Sequence, residues 1–348
     1  MAWGGIALAL GQGIRLEGIL MQLVRLLLAL SLAASGGAYA QAESWKMVIT
    51  GDSRGTDNGV NTVVLSQVAQ AIVADAPEVV LFSGDLVTTG SLSAFQTWRS
   101  TMAPVYDAGI SVYPVRGNHD TGDLPGWNTV FGYLPDNGPA AETNLTYAVA
   151  HRNALIVGTD QYSGHNYRVD QGWLGGVFAT NTLPHVFVFG HNPAFKVNHS
   201  DCLDDYPTER DAFWNSLAAE GARAYFAGHD HFYDHMRLDD GDANSADDLH
   251  QYIVGTTGAP LYDDGLYDGD NGSWTPVRLL HEKQYGYLLV EINSLDVTIT
   301  WKHWVSEGVF EATSDVFGYT AVPEPGTLLL LGAGLAIMVR RRAISRGP

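Results

Sequence analysis

Hydrophobic positions fall into short runs separated by polar, glycine-containing turns, and their spacing predicts strands alternating with helices. Residues 46–50, 78–83 and 111–115 read as short buried-type strands. Between them, Val64, Val68, Ile72 and Val73 recur at helical spacing within 61–75, and 92–106 carries a second helical pattern. Further strand signals lie at 145–149, 154–157, 186–189 and 224–227, with a helix over 211–219 before the last of these. The later runs, 251–254, 287–292 and 297–301, are strands without intervening helices. Alternation followed by strand-rich sequence predicts an α/β protein with a mixed sheet and a second sheet. No internal repeat is visible.

Both ends read as processing signals. From Met21 the chain has a positive residue, Arg25, then apolar Leu26 to Leu32, then the small-x-small sequence Ala38-Tyr39-Ala40. That order predicts a signal peptide over 1–40, starting at Met1 or Met21. Near the other end, Pro323-Glu324-Pro325 precedes an apolar run from Thr327 to Val339 and the cluster Arg340, Arg341, Arg342. The run is shorter than the ~20 residues of a full membrane span, which makes it a marginal anchor with a basic stop. This order resembles the PEP-CTERM sorting signal. The resemblance implies transient membrane association through the tail and cutting by an exosortase-type enzyme. It also implies export to the envelope, cell surface or extracellular matrix of a Gram-negative-type bacterium. The expected division is leader 1–40, folded domain 41–320 and sorting tail 322–348.

Composition narrows the chemistry. The formal charge is −19, which argues against a nucleic-acid-binding surface. The same charge would repel a phosphate ester unless bound cations reverse its sign locally. The one cysteine, Cys202, excludes an intrachain disulfide and a cysteine-rich zinc site and reads as a loop residue without a role. The acidic stretches 239–248 and 263–271 read as solvated surface loops.

Five short sequences share one layout, each with a glycine beside polar residues just after an apolar strand. They are Gly51-Asp52-Ser53-Arg54, Gly84-Asp85-Leu86-Val87, Gly117-Asn118-His119-Asp120, Gly190-His191-Asn192-Pro193 and Gly228-His229-Asp230-His231. In open α/β sheets the strand C-termini converge on one crevice, and glycine lets the backbone turn there. Carboxylates and imidazoles gathered in one crevice suit Mn, Fe or Zn. Two such ions can share a carboxylate, generate hydroxide and clamp a phosphate.

With Gly-Asn-His-Asp followed by Gly-His-x-His, the chain resembles the calcineurin-like metallophosphoesterase family, in its purple-acid-phosphatase-like variant, from about residue 46 to 304. The resemblance implies a two-sheet mixed β-sandwich flanked by helices and two divalent or trivalent metal ions. Asp52 and His231 would hold one ion, Asp85 would bridge both, and Asn118, His191 and His229 would complete the second. His119, oriented by Asp120, would lie by the phosphate as general acid. Arg54, Asn118 and His119 would contact the substrate, a small phosphorylated molecule. The implied reaction is hydrolysis of a phosphate monoester or diester by metal-bound hydroxide at a dinuclear site.

Two positions depart from the family pattern. Arg54 stands where the first motif commonly has a metal-binding histidine, and an arginine cannot ligate. It would reach the phosphate or make a salt bridge with a nearby aspartate. Thr88 stands where purple acid phosphatases have a metal-binding tyrosine. These departures motivate a second reading, a non-catalytic metal- or phosphate-binding envelope protein. Trp274, Trp301 and Trp304 raise a third, a carbohydrate-binding matrix protein, although their strand-like settings suit core packing better. Asp201, Asp204 and Tyr206 are candidates for setting specificity, and His235 reads as a residue behind the site or on the surface.

Overall fold

The computed structural model describes residues 43–321 except 264 and 266. The expected leader and sorting tail lie outside the described residues. Among the described residues no helix is long and apolar enough to cross a membrane.

The first sheet is built on three parallel strands, β1 (Ser44–Thr50), β3 (Val79–Phe82) and β4 (Ser111–Pro114). Every side chain of Val79-Val80-Leu81-Phe82 is buried, as a strand covered on both faces requires. The short β2 (Arg54–Asp57) follows the first motif outside the main sheets. Beyond β1 the sheet continues antiparallel through β12 (Gly286–Asn293), β13 (Asp296–Ser306) and β14 (Val309–Thr320).

The second sheet runs in the order β11, β9, β10, β8, β7, β6, β5. Its strands are β5 (Tyr147–His151), β6 (Ala154–Gly158), β7 (His185–Phe189), β8 (Ala224–Ala227), β9 (Tyr233–Asp239), β10 (Leu249–Val254) and β11 (Thr275–Glu282). The central four, β6, β7, β8 and β10, are parallel neighbours. A core including Val48, Phe82, Phe187, Phe226 and Tyr252 joins strands of both sheets. Each fully buried large side chain of this kind contributes roughly 1.5–3 kcal/mol.

Helices α1 (Thr62–Asp75), α2 (Leu92–Thr101), α3 (Ala103–Asp107) and α4 (Leu124–Phe131) join that core through residues such as Leu65, Phe95, Val105 and Trp127. Helices α5 (Gln171–Phe178) and α6 (Pro207–Ala219) pack in a second cluster, where Leu174, Phe213 and Trp214 meet Val188 and Tyr225. The architecture is the expected one: two mixed sheets with flanking helices.

Several elements differ from the sequence reading. The helix expected over 92–106 is two helices, because Pro104 enters the first turn of α3; proline has no N–H to continue the preceding ladder. Strands β9, β11 and β14 carried no apolar run. In β9 the buried positions include Asp234 and His235, and β14 alternates exposed with half-buried residues. Trp301 is buried and stacks on Tyr233 at 4.0 Å and 4°, while Trp274 packs edge-on against Phe195. Packing thus accounts for two of the three tryptophans that had suggested a carbohydrate platform. Cys202 is buried. His235 is neither on the surface nor in the cleft: it bonds Asp315 at 2.9 Å and His250 at 2.7 Å.

Candidate metal centre

All five motifs leave the C-terminal ends of parallel strands, β1, β3 and β4 in one sheet and β7 and β8 in the other. Backbone bonds stitch the loops together: Asp52 N–H donates to Gly84 and Ser53 N–H to Asp85, at 2.9 and 3.0 Å. Other bonds cross between the sheets. His229 N–H reaches both oxygens of Asp52 at 3.1 Å, and His191 Nδ1 lies 2.7 Å from the Ser83 carbonyl.

The glycines matter chiefly by making room. Gly117 has φ −94°, a conformation open to any residue, but a Cβ there would sit 2.1 Å from Asp85 Oδ1. A Cβ on Gly228 would sit 2.2 Å from Asp52 Oδ2. Among the motif glycines Gly84 turns the chain at φ 89°, and the other tight turns fall on ligand candidates. Asp52, Asp85 and His229 have φ of 59°, 50° and 71°, a left-handed conformation that costs of order 1–3 kcal/mol each.

Hydrogen bonds fix the imidazole tautomers. His191 Nδ1–H donates to Ser83, so Nε2 carries the lone pair. That atom lies 3.1 Å from Asn118 Oδ1 and 3.5 Å from Asp85 Oδ1. His229 Nε2 bonds Asp201 Oδ1 at 3.1 Å, which turns its Nδ1 lone pair toward His191 Nε2 at 3.2 Å. Burial, partly offset by Asp85, pushes the His191 imidazole down to about 4. Asp85, Asn118, His191 and His229 thus bring oxygen and nitrogen ligand atoms to within 3.1–3.5 Å of one another, and these residues fit a metal ion. One oxygen or nitrogen each from Asp52, Asp85 and His191 also lie within 4.8 Å of one another.

The other half of the expected centre is arranged differently. His231 Nδ1–H donates to the Pro260 carbonyl at 2.9 Å, and burial and Arg54 push the imidazole down to about 3. Its Nε2 lone pair lies 3.4 Å from Asp52 Oδ1 and accepts the Arg54 Nε–H at 3.3 Å. Arg54 Nε is also 3.6 Å from Asp85 Oδ2, and its other end donates to Tyr262 Oη at 3.0 Å. Tyr262 stacks on His231 at 4.2 Å. Arg54 thus makes the salt bridge to a nearby aspartate that the sequence left open. Asp52 is fully buried, and desolvation reinforced by Asp85 pushes its carboxyl well above the usual range.

His119 is half-buried beside this group, its Nε2 4.0 Å from Asp85 Oδ2. The expectation that Asp120 orients it is corrected. The Asp120 carboxylate accepts the N–H groups of Gly117, Leu86 and Val87 at 2.8, 3.2 and 3.2 Å, while His119 Nδ1–H donates to the Thr88 carbonyl at 2.7 Å. Burial and Asp85 push the Asp120 carboxyl up to about 8 against the pull of those N–H donors.

A small cavity of about 90 Å³ opens over these residues, and His199, Asp201 and Tyr262 complete its wall. His199 was missed. Its Nδ1 lies 2.5 Å from Asp230, the unassigned residue of Gly228-His229-Asp230-His231, and that bond raises its pKa. A histidine eight residues beyond His191, on the loop carrying Asp201, was the available signal. Asp204 and Tyr206 are not in the cavity wall; Asp204 pairs with the buried Arg210.

The profile of the calcineurin-like phosphoesterases matches residues 46–233, and that of the PEP-CTERM protein-sorting motif matches 321–343. No curated protein matches the chain. Among solved structures, purple acid phosphatase PPD1 from yellow lupin (Lupinus luteus) superposes with a TM-score of 0.62 at 14% identity, over 80% of this chain and 54% of that one. This chain therefore spans about half the length of that phosphatase. PhoD superposes with a TM-score of 0.57 at 11% identity, over 81% and 70% of the two chains. GAP50, the anchor in the inner membrane complex of Plasmodium, gives 0.55 at 12%, over 82% and 90%. At these identities the likeness is one of fold.

Proposed function

Because the chain belongs to the calcineurin-like phosphoesterase family, we propose that it is an exported, metal-dependent phosphoesterase acting on small phosphate esters in the cleft above Asp85. The observation that carries this reading is the convergence of ligand atoms from Asp85, Asn118, His191 and His229 within 3.1–3.5 Å of one another. A metal ion held there supplies Lewis acidity and lowers the pKa of water toward neutrality.

The chain's own residues supply the rest. Arg54 and Asn118 donate to phosphate oxygens at the cavity wall. His119, held by Thr88 at Nδ1, presents Nε2 to the cavity, and as the imidazolium it gives its Nε2 proton to the leaving oxygen and becomes neutral. His199, whose pKa is raised by its bond to Asp230, lines the same cavity. These groups offset locally a chain charge that would otherwise repel the substrate.

Export follows from the sorting motif over 321–343. In this reading residues 1–40 are the leader, 41–320 the catalytic domain and 322–348 the tail that an exosortase-type enzyme removes. The second reading, a non-catalytic binding protein of the envelope, draws support from Arg54 donating to the His231 nitrogen that a first metal would use.

The test is hydrolysis of a chromogenic phosphomonoester and its diester by the purified chain reconstituted with Mn, Fe or Zn. Metal-dependent turnover that collapses in Asp85→Asn and His119→Ala is expected. Metal binding without turnover on either ester would favour the second reading.

A further inference from the structure

Deepening the proposed function and resting on it, we propose that the centre is mononuclear: one ion sits among Asp85, Asn118, His191 and His229, and the Arg54 guanidinium takes the place of a second at Asp52 and His231. The argument is competition for one lone pair. A neutral imidazole has a single acceptor nitrogen. In His231 the proton is on Nδ1, committed to the Pro260 carbonyl at 2.9 Å. The remaining nitrogen, Nε2, already receives the Arg54 Nε–H at 3.3 Å. An ion at Asp52 and His231 would need that same lone pair and would sit against a permanent cation.

Three further contacts hold Arg54 in this role. Its Nε lies 3.6 Å from Asp85 Oδ2, the carboxylate that would otherwise bridge two ions. Its outer nitrogen donates to Tyr262 Oη at 3.0 Å. Tyr262 in turn stacks on the His231 ring at 4.2 Å and 21°, fixing both partners of the guanidinium. Charge points the same way. Asp52 and Asp85 are both buried, and one guanidinium with one divalent ion already outweighs the two carboxylates.

The two halves of the centre differ in what their histidines face. His191 Nε2 and His229 Nδ1 face each other at 3.2 Å, while their other ring nitrogens are committed to the Ser83 carbonyl and Asp201. His231 turns its lone pair toward a donor. The first geometry calls for an ion and the second is satisfied without one.

The experiment counts ions on the purified full chain loaded with Mn(II), freed of unbound metal and measured by elemental analysis and electron paramagnetic resonance. One equivalent is expected, with the hyperfine pattern of an isolated Mn(II). His231→Ala should keep that equivalent with its affinity changed less than about threefold, whereas His229→Ala should lose at least tenfold. Arg54→His should take up a second equivalent and show spin coupling between the two ions.

Two tightly held ions in the unmodified chain, or loss of the single ion in His231→Ala, would overturn the proposal while leaving the phosphoesterase reading intact. Should Arg54→His fail to fold, the contrast between His229→Ala and His231→Ala still decides. Because ions are counted without turnover, an inactive chain holding one ion would overturn the phosphoesterase reading and leave the mononuclear centre standing.

Discussion

His119 and Asp120 are adjacent in the chain, yet the Asp120 carboxylate lies on backbone N–H groups and the His119 ring takes its orientation from the Thr88 carbonyl. The sequence Gly-Asn-His-Asp thus contains one residue for the cavity and one for the scaffold. Asp120 ties the loops after β3 and β4 together, which holds Asp85 opposite His191.

Asp120→Ala should therefore destabilise the fold more than it alters the chemistry. It strands three buried N–H groups, at roughly 1–3 kcal/mol for each left unpaired. A loss of about 3 kcal/mol or more is expected in urea denaturation. The pH profile of residual activity should be unshifted, whereas a His–Asp dyad would shift it.

His119→Ala should act on the leaving group. A drop of about 10²–10⁴ in kcat is expected for an alkyl phosphate, and a much smaller one for a nitrophenyl ester, whose leaving oxygen needs little protonation. Metal content should be unchanged. Equal losses on both esters would point instead to phosphate binding.

Asp201, in the cavity wall, holds His229 at 3.1 Å from Nε2, and the His229 bond keeps its carboxyl below the usual range. Such carboxylate–histidine partners typically contribute 10–100-fold to metal affinity. Asp201→Ala should weaken Mn(II) or Zn(II) binding by about that factor in a chelator competition, with little change in thermal stability of the metal-free chain.

Away from the cleft, His165 bonds the buried Glu142 at 2.5 Å, and that bond raises the imidazole pKa. The folded state then binds the proton more tightly than the unfolded chain, whose histidines titrate near ~6.5. The stabilisation is fully present below that value and is lost as pH rises through the raised folded value. His165→Gln should flatten this part of the profile. The unmodified chain should lose about 2 °C more in melting temperature than the variant between mildly acidic and alkaline buffer.

The sequence by itself determined the fold class, because short apolar runs and helical spacing report burial locally, and glycine marks the strand ends. It also brought the six metal-type residues to one place, since parallel strands deliver their C-termini to the same edge. It did not determine which way side chains turn once there. Arg54 lies on His231 and Asp85, Asp120 turns into the scaffold, and His199 joins the wall by pairing with Asp230, 31 residues away in sequence. Each of those outcomes depends on a partner distant in the chain. Strands β9 and β14 were hidden for the same reason: buried polar pairs and a half-exposed hairpin are stabilised by what packs against them, and only the tertiary structure supplies it.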